Sequence, residues 1–162
     1  MLATPLQLAH ATATIANRGK RFKPTLLRAR MDPISRDSEF VDPQALPAVP
    51  VDDDRQWDRI ISAMNAVMQG QRGTARAVGM DAPFTMAGKS GTAQVFTVAQ
   101  NEEYEAEEIE ERMRDHALFI AFAPLEDPQI AVAVIIENGE SGSRTAAPIA
   151  RAVIEAYLEE QS

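Results

Sequence analysis

The segment Ala87–Ala93, which reads Ala-Gly-Lys-Ser-Gly-Thr-Ala, brings together residue types that are suited to chemistry. Lys89 provides a primary amine, and Ser90 and Thr92 provide two hydroxyl groups. The residues from Ala93 to Val98 that follow are typical of a β-strand. An amine and two hydroxyls so close to a strand indicate a binding or catalytic role.

Strand geometry would bring the two hydroxyls together. Side chains two residues apart share a face of a strand, so Ser90 and Thr92 are expected on one side. Gly91 between them carries no side chain, and a glycine within a strand often marks the close approach of a ligand or another backbone. Such an edge suits an anionic, peptide-like ligand that adds as an extra strand. Strict alternation puts Lys89 on the opposite face from Ser90 and Thr92, so its long side chain must bend around the strand to bring the ammonium close to the two hydroxyls.

The spacing of this segment excludes a phosphate-binding loop. That motif needs a glycine five residues before the glycine of its Gly-Lys-Ser, and a helix directly afterwards. Here the residue five positions before Gly88 is Pro83, not glycine, and the residues after Thr92 favour a strand rather than a helix. The segment instead matches the Lys-Thr/Ser-Gly element of penicillin-binding proteins and serine β-lactamases.

The resemblance extends over most of the chain. It is to the C-terminal part of a class B penicillin-binding protein transpeptidase domain, above all in the elongation-type penicillin-binding protein 2 group. The regions from Arg30 to Val51 and from Asn101 to Met113 are the least specific. The segments that carry the resemblance are Met1–Ala9, Lys89–Gln94, Arg114–Pro124 and Ile130–Gly139.

The resemblance implies an α+β fold, an α/β sandwich in which helices cover antiparallel strands, as in the penicillin-binding protein and serine β-lactamase-like transpeptidases. That family carries its nucleophile in Ser-x-x-Lys and a second serine in Ser-x-Asn. Neither pattern occurs at any serine of this chain. We therefore expect residues 1–162 to be the C-terminal portion of a single transpeptidase domain, with the nucleophile-bearing part and the membrane anchor upstream in a longer parent protein. Alone, the chain should be inactive, with an exposed sheet edge that favours self-association.

The resemblance also implies a reaction and roles within it. In the family, a serine attacks the carbonyl between two terminal D-alanines of a peptidoglycan stem peptide, the amine of a second stem resolves the acyl-enzyme, and a β-lactam acylates the same serine. By resemblance, Lys89 assists proton transfer and attracts the substrate carboxylate, which the Ser90 and Thr92 hydroxyls bind. Gly91 belongs to the same substrate-binding strand, and the Thr92 amide is one of two oxyanion donors. No cofactor and no metal is implied.

The implied partners are peptidoglycan stem peptides, β-lactam antibiotics and the rest of the transpeptidase domain. For the parent protein they include a SEDS-type glycosyltransferase and other elongation-complex proteins, with no nucleic acid. The parent would be anchored in the bacterial inner (cytoplasmic) membrane, with this domain in the periplasm. Two alternatives stay open: a non-enzymatic module that binds peptide termini with the same strand, and a fragment of a serine β-lactamase.

Length and composition are consistent with these expectations and exclude some other classes of protein. A length of 162 residues fits one domain. The formal net charge of −8 argues against nucleic acid or an anionic membrane surface as the partner. Because the chain has no cysteine, disulfides and thiol chemistry are excluded. No apolar run is long enough to span a bilayer.

Apolar periodicity predicts three main helices and one short helical turn. The helices are Pro5 to Asn17 after a Thr4 cap, Arg55 to Gln69 after an aspartate cap at 52–54, and Ala146 to Leu158. The turn lies at Gly73–Val78. The expected buried faces include Leu6 and Ile15, Ile60 and Met64, and Ile149, Val153 and Ile154.

Two apolar runs, Ala117–Ala123 and Ile130–Glu137, predict a hairpin whose two faces are both covered by helices. His116 opens the first strand, and we expect a structural role for it. The stretch Arg30–Pro50 carries four prolines and predicts a surface loop.

The acidic stretch Asn101–Asp115 predicts a short amphipathic helix with Glu108–Arg112 and Glu110–Arg114 pairs. Calcium binding there is disfavoured because the alternating ligands and the glycine of a calcium loop are missing. A metal site at the aspartates 52–54 is disfavoured because no histidine or further carboxylate stands at ligand spacing.

Overall fold

The computed structural model describes residues 3–95 and 113–161, which form helices and antiparallel sheets. This architecture confirms the α+β class. In chain order the elements are α1 (Pro5–Ala16), β1 (Arg21–Phe22), β2 (Ala29–Met31), β3 (Ser38–Phe40), β4 (Ala45–Leu46), α2 (Arg55–Gln69), α3 (Arg76–Gly79), β5 (Ala87–Ala93), β6 (His116–Ala123), β7 (Ile130–Ile136), a π-helical turn (Gly142–Ala146) and α4 (Ala147–Glu160).

The main sheet of the described residues has the strand order β5-β6-β7, and β6 pairs antiparallel with both neighbours. Phe119 of β6 lies opposite Ser90 on one side and Val134 on the other. The predicted hairpin of β6 and β7 is confirmed, although β7 ends at Ile136, one residue earlier than expected. In this order β5 lies at an edge of the sheet.

Helices cover both faces of the sheet, as the near-continuous apolar strands predict. On one face, Phe119 and Ala121 are completely buried in a cluster with Ile154 of α4. On the other face, Phe122 lies in a second cluster with Ala16 of α1 and Met64 of α2. Removal of this apolar surface from water on both sides of β6 is the main stabilising contribution to the fold.

The predicted helix bounds are confirmed to within one or two residues at each end. Thr4 caps α1 in a capping box with Gln7, whose side chain accepts a hydrogen bond from the Thr4 N–H at 2.8 Å. Of the three aspartates expected to cap α2, Asp54 stands at the N-cap but makes no side-chain hydrogen bond to the helix. Instead, Asp53 Oδ1 accepts the Arg55 N–H at 3.0 Å.

The predicted buried faces are wrong in part. Leu6 is 65% exposed, and Ile60, Ile149 and Val153 are each more than 40% exposed. Thr12, which was not predicted to be buried, is completely buried in α1. Its hydroxyl donates to the Leu8 carbonyl at 2.7 Å, so a polar side chain is buried here without losing a hydrogen bond.

The predicted strand Ala93–Val98 is confirmed at Ala93 and is wrong at residues 94 and 95. The strand is Ala87–Ala93, residues 94 and 95 lie outside it, and residues 96–98 fall outside the described part of the chain. Pairing with the apolar β6 outweighs the low strand propensity of the glycines. At Gly88 the absence of a side chain is required, because a Cβ atom there would lie 2.7 Å from the Phe119 ring.

Residues 20–50 form a surface arm rather than a structureless loop. Two short antiparallel ladders, β1 with β4 and β2 with β3, are nested within it. Most of its residues are exposed, as expected for a surface excursion. The ladders were missed because strands of two or three residues have no measurable sequence periodicity.

Most of the predicted acidic helix at residues 101–115 lies outside the described residues. The short turn predicted at Gly73–Val78 is present as α3, shifted to Arg76–Gly79. Among the described residues, no helix has the length and apolar character needed to cross a membrane.

Candidate functional site

The candidate residues lie on β5, at the edge of the sheet. Ser90 is half-buried opposite Phe119, and Thr92 is exposed. Because residues paired across a ladder point to the same face, Ser90 and Thr92 lie on the α4 side of the sheet. The structure therefore places both hydroxyls on one face, as the spacing predicts.

The Cβ atom of Lys89 points to the opposite face of the sheet from Ser90 and Thr92, as strict alternation requires, because Lys89 is paired with Ile120. Its side chain is exposed, and Nζ donates a hydrogen bond to the backbone carbonyl of Ser90. The Lys89 side chain therefore bends toward the next residue of the strand, and it lines the same groove as Ser90 and Thr92. We call this the β5 groove; it is lined by Thr74, Lys89, Ser90, Gly91, Thr92, Glu140, Ser141, Gly142 and Ser143.

The second wall of the β5 groove is the turn from Asn138 to Ser143. Gly142 of this turn packs against β5, since a Cβ atom added to it would lie 2.7 Å from the Gly91 carbonyl oxygen. Asn138 and Glu140 adopt φ values of 56° and 59°, in the left-handed region that favours short polar residues and glycine. These two residues reverse the chain after β7 and return it to β5.

Several polar contacts fix this turn to the start of β6. Arg114 Nη1 lies 3.0 Å from Glu140 Oε1, and the Glu140 N–H donates to the Asp115 carbonyl at 2.8 Å. Asn138 donates through its side-chain amide to the Arg114 carbonyl at 2.8 Å. His116 Nδ1 accepts the Asn138 N–H at 2.9 Å, which supports the structural role expected for this histidine.

The groove combines the exposed positive charge of Lys89 with two hydroxyls that have no side-chain partner among the described residues. No side-chain hydrogen bond is recorded for Ser90 or Thr92 within residues 3–95 and 113–161. Each hydroxyl can donate one hydrogen bond, and the Lys89 ammonium can donate three. Charge-assisted hydrogen bonds of this kind are shorter and about twice as strong as neutral ones. The arrangement therefore suits a carboxylate better than a neutral or cationic group.

Sequence reasoning proposed Lys89–Thr92 as the candidate site but did not propose any residue of the opposite wall. Thr74 and the four residues from Glu140 to Ser143 also line the groove. The signal that could have found them is the Ser141-Gly142-Ser143 triplet, which repeats the hydroxyl-glycine-hydroxyl pattern of Ser90-Gly91-Thr92. It stands after a predicted strand, where it resembles an ordinary turn.

Known proteins share both the sequence and the fold. The family model described as the penicillin binding protein transpeptidase domain matches residues 1–155. Peptidoglycan D,D-transpeptidase MrdA of Haemophilus influenzae is 39% identical over 159 residues, which cover 98% of this chain and 24% of that protein. The chain thus spans about a quarter of the length of the curated relatives it matches.

Solved structures agree with the sequence match. The crystal structure of Pseudomonas aeruginosa PBP2 in complex with WCK 5153 aligns with a TM-score of 0.75 at 45% identity, covering 96% of this chain and 30% of that one. The complex of PBP2 and MreC from Helicobacter pylori gives a TM-score of 0.72 at 26% identity, covering 99% and 25%. With the family model matched over 1–155 and the Lys-Ser-Gly-Thr strand at the sheet edge, this chain belongs to the penicillin-binding protein transpeptidase domain family.

Proposed function

We propose that this chain is the C-terminal portion of a peptidoglycan D,D-transpeptidase domain and forms the Lys-Ser-Gly-Thr wall of its active site. The observation that carries the proposal is that Lys89, Ser90 and Thr92 all line one groove at the edge of the sheet. The chain covers about a quarter of the length of the relatives it matches, which supports a longer parent protein. So does the lack of a Ser-x-x-Lys nucleophile motif in these 162 residues.

The groove binds the terminal carboxylate of the stem peptide in this proposal. The Ser90 and Thr92 hydroxyls donate to the carboxylate oxygens, and Lys89 adds the positive charge. Lys89 also assists proton transfer at the reacting serine, which the rest of the domain supplies. Binding at a strand edge holds the extended peptide in register, so that its scissile carbonyl lies close to that serine.

The reaction proceeds in two steps. The serine oxygen bonds to the carbonyl carbon between the two D-alanines, the C–N bond breaks, and D-alanine leaves with the added proton. The amine of a second stem then attacks the ester, forms the new amide and releases the serine. The Thr92 N–H stabilises the oxyanion in both steps, and a donor in this role typically contributes ~3–4 kcal/mol. A β-lactam reacts at the first step only and stays attached.

The proposal extends to the setting of the parent protein. A relative of similar fold is described in complex with MreC. By analogy we propose elongation-complex partners for the parent, including a SEDS-type glycosyltransferase. We also propose an anchor in the inner membrane, with this domain in the periplasm where the stem peptides are cross-linked.

The test is intact-protein mass spectrometry after incubation with a penicillin. The parent protein is expected to gain the mass of one penicilloyl group, whereas the 162-residue chain alone is expected to gain none. If the parent gains no mass either, the transpeptidase proposal is wrong. The strand would then be better explained as part of a non-enzymatic module that binds peptide termini.

A further inference from the structure

Two hydroxyl-glycine-hydroxyl triplets face each other across the β5 groove. Ser90-Gly91-Thr92 lies on β5, and Ser141-Gly142-Ser143 lies on the turn that precedes α4. Their glycines are in backbone contact, because a Cβ atom on Gly142 would lie 2.7 Å from the Gly91 oxygen and 3.1 Å from the Gly91 nitrogen. The serines beside Gly142 are therefore held close to the hydroxyls beside Gly91.

The hydroxyls of Ser141 and Ser143, the two serines of the second triplet, differ in their hydrogen bonds. Ser141 Oγ accepts the Arg144 N–H at 3.3 Å and so caps the helix that follows. For Ser143 Oγ, the side-chain contact recorded within the described ranges is Ser141 Oγ at 3.4 Å, which is at the long limit for a hydrogen bond. Ser143 is half-buried and lines the groove. Its hydroxyl can therefore donate to a ligand without breaking a strong contact.

Hydrogen bonds hold the turn that carries Ser143, and an ion pair offsets the charge of the acidic residue that lines this wall. Thr145 Oγ1 donates to the Gly139 carbonyl at 2.8 Å, which closes the turn on its far side. Glu140 brings a negative charge to the groove, but the Arg114 guanidinium 3.0 Å away offsets it. An anionic ligand near Lys89 is therefore not repelled by the opposite wall.

We propose that Ser143 is a specificity-determining residue that donates a hydrogen bond to the ligand carboxylate from the wall opposite Ser90 and Thr92. The inference rests on the proposed function and deepens it, since it assigns a further contact in the same site. A carboxylate offers about four acceptor positions on two oxygens. The β5 hydroxyls and Lys89 approach from one side of the groove, and Ser143 approaches from the other.

The experiment compares acylation of the parent protein by a penicillin with acylation by the methyl ester of the same penicillin. The ester keeps the reactive ring but removes the negative charge of the carboxylate. Ser143→Ala is expected to slow acylation by the free acid at least about tenfold, in line with loss of a hydrogen bond to a charged group. With the ester, the same variant is expected to stay within about twofold of the unsubstituted protein.

Two further variants keep the test specific. Ser143→Thr retains the hydroxyl and is expected to retain most of the rate with the free acid. Ser62→Ala removes an exposed hydroxyl from α2, outside the groove, and is expected to leave both rates unchanged. Equal melting temperatures for all variants would exclude a folding defect as the cause.

The outcomes separate this inference from the proposed function. If the unsubstituted parent is acylated and Ser143→Ala matches it with the free acid, the inference is overturned while the transpeptidase proposal stands. The inference is equally overturned if Ser143→Ala slows the acid and the ester by the same factor, because the hydroxyl would then not act on the carboxylate. If neither compound acylates the unsubstituted parent, the proposed function and this inference both fail.

Discussion

Gly142 packs so closely against Gly91 that a Cβ atom on Gly142 would lie 2.7 Å from the Gly91 carbonyl oxygen and would overlap that of Leu118. This contact joins the turn after β7 to the edge strand β5. The two walls of the β5 groove are therefore parts of one packed unit, and their separation is fixed by backbone contact.

The first prediction follows from that contact. Gly142→Ala should lower the free energy of unfolding of the chain by about 1–3 kcal/mol, because the added methyl group forces the turn away from β5. Gly91→Ala is the matched comparison, since among the described residues its Cβ would meet only Leu118 Cβ, at an ordinary 3.4 Å. It should change stability by less than about 1 kcal/mol. Urea unfolding measures both, and equal losses would show that the contact is not tight.

The second prediction concerns the surface arm. Hydrogen bonds from the backbone N–H groups of Ser35 and Ile34 hold the pKa of Asp32 below its ordinary value of 3.8. Because the pKa is lower in the folded state, the stabilisation by this carboxylate is present above pH 3.8 and is lost as the pH falls through the folded-state pKa. An NMR titration should therefore give a midpoint below 3.8.

A variant checks the same carboxylate independently. Asp32→Ala removes the acceptor for the Ile34 and Ser35 amides, each bonded to it at 2.8 Å. These two amides should exchange with solvent faster in the variant, while the Phe119 amide in β6 should exchange at the same rate. Unchanged exchange at Ile34 and Ser35 would contradict the role given to Asp32.

The third prediction concerns the edge of the sheet. Among the described residues β5 pairs only with β6, and an unpaired strand edge is a template for another chain. The 162-residue chain alone should therefore self-associate as its concentration rises, which light scattering measures. Thr92→Lys adds a charge at the edge and should reduce association, whereas Ser62→Lys on exposed α2 should not. Equal association of the two variants would exclude β5 as the contact.

Long apolar patterns and motif chemistry were the predictable parts of this structure. The hairpin of β6 and β7 followed from two near-continuous apolar runs, and α2 followed from an apolar helical face that ends before Gly70. Residue type and spacing proposed Lys89, Ser90 and Thr92 as candidates, and the family resemblance supplied the roles predicted for them. Which family the chain belongs to was recognisable because several separated segments resembled the same domain.

The other features could not be predicted because they depend on contacts between residues that are distant in the sequence or on local hydrogen bonds and backbone conformation. The bounds of β5 are set by pairing with β6, which carries two glycines into a strand. Burial of Thr12 depends on a hydrogen bond to the carbonyl four residues earlier, which no hydrophobicity pattern reports. The second wall of the groove requires left-handed backbone at Asn138 and Glu140, and neither residue is a glycine that would have marked the turn.

The most direct test of the central claim, that β5 is the catalytic wall of a transpeptidase site, is the penicillin acylation rate of the parent protein carrying Lys89→Ala. The matched control is Lys23→Ala, which removes an exposed lysine from the surface arm. We predict that Lys89→Ala lowers the rate at least ~100-fold, since positioned groups in proton transfer contribute factors of this order. Lys23→Ala should leave the rate unchanged. Equal rates for the two variants would contradict the assignment of β5 to the active site.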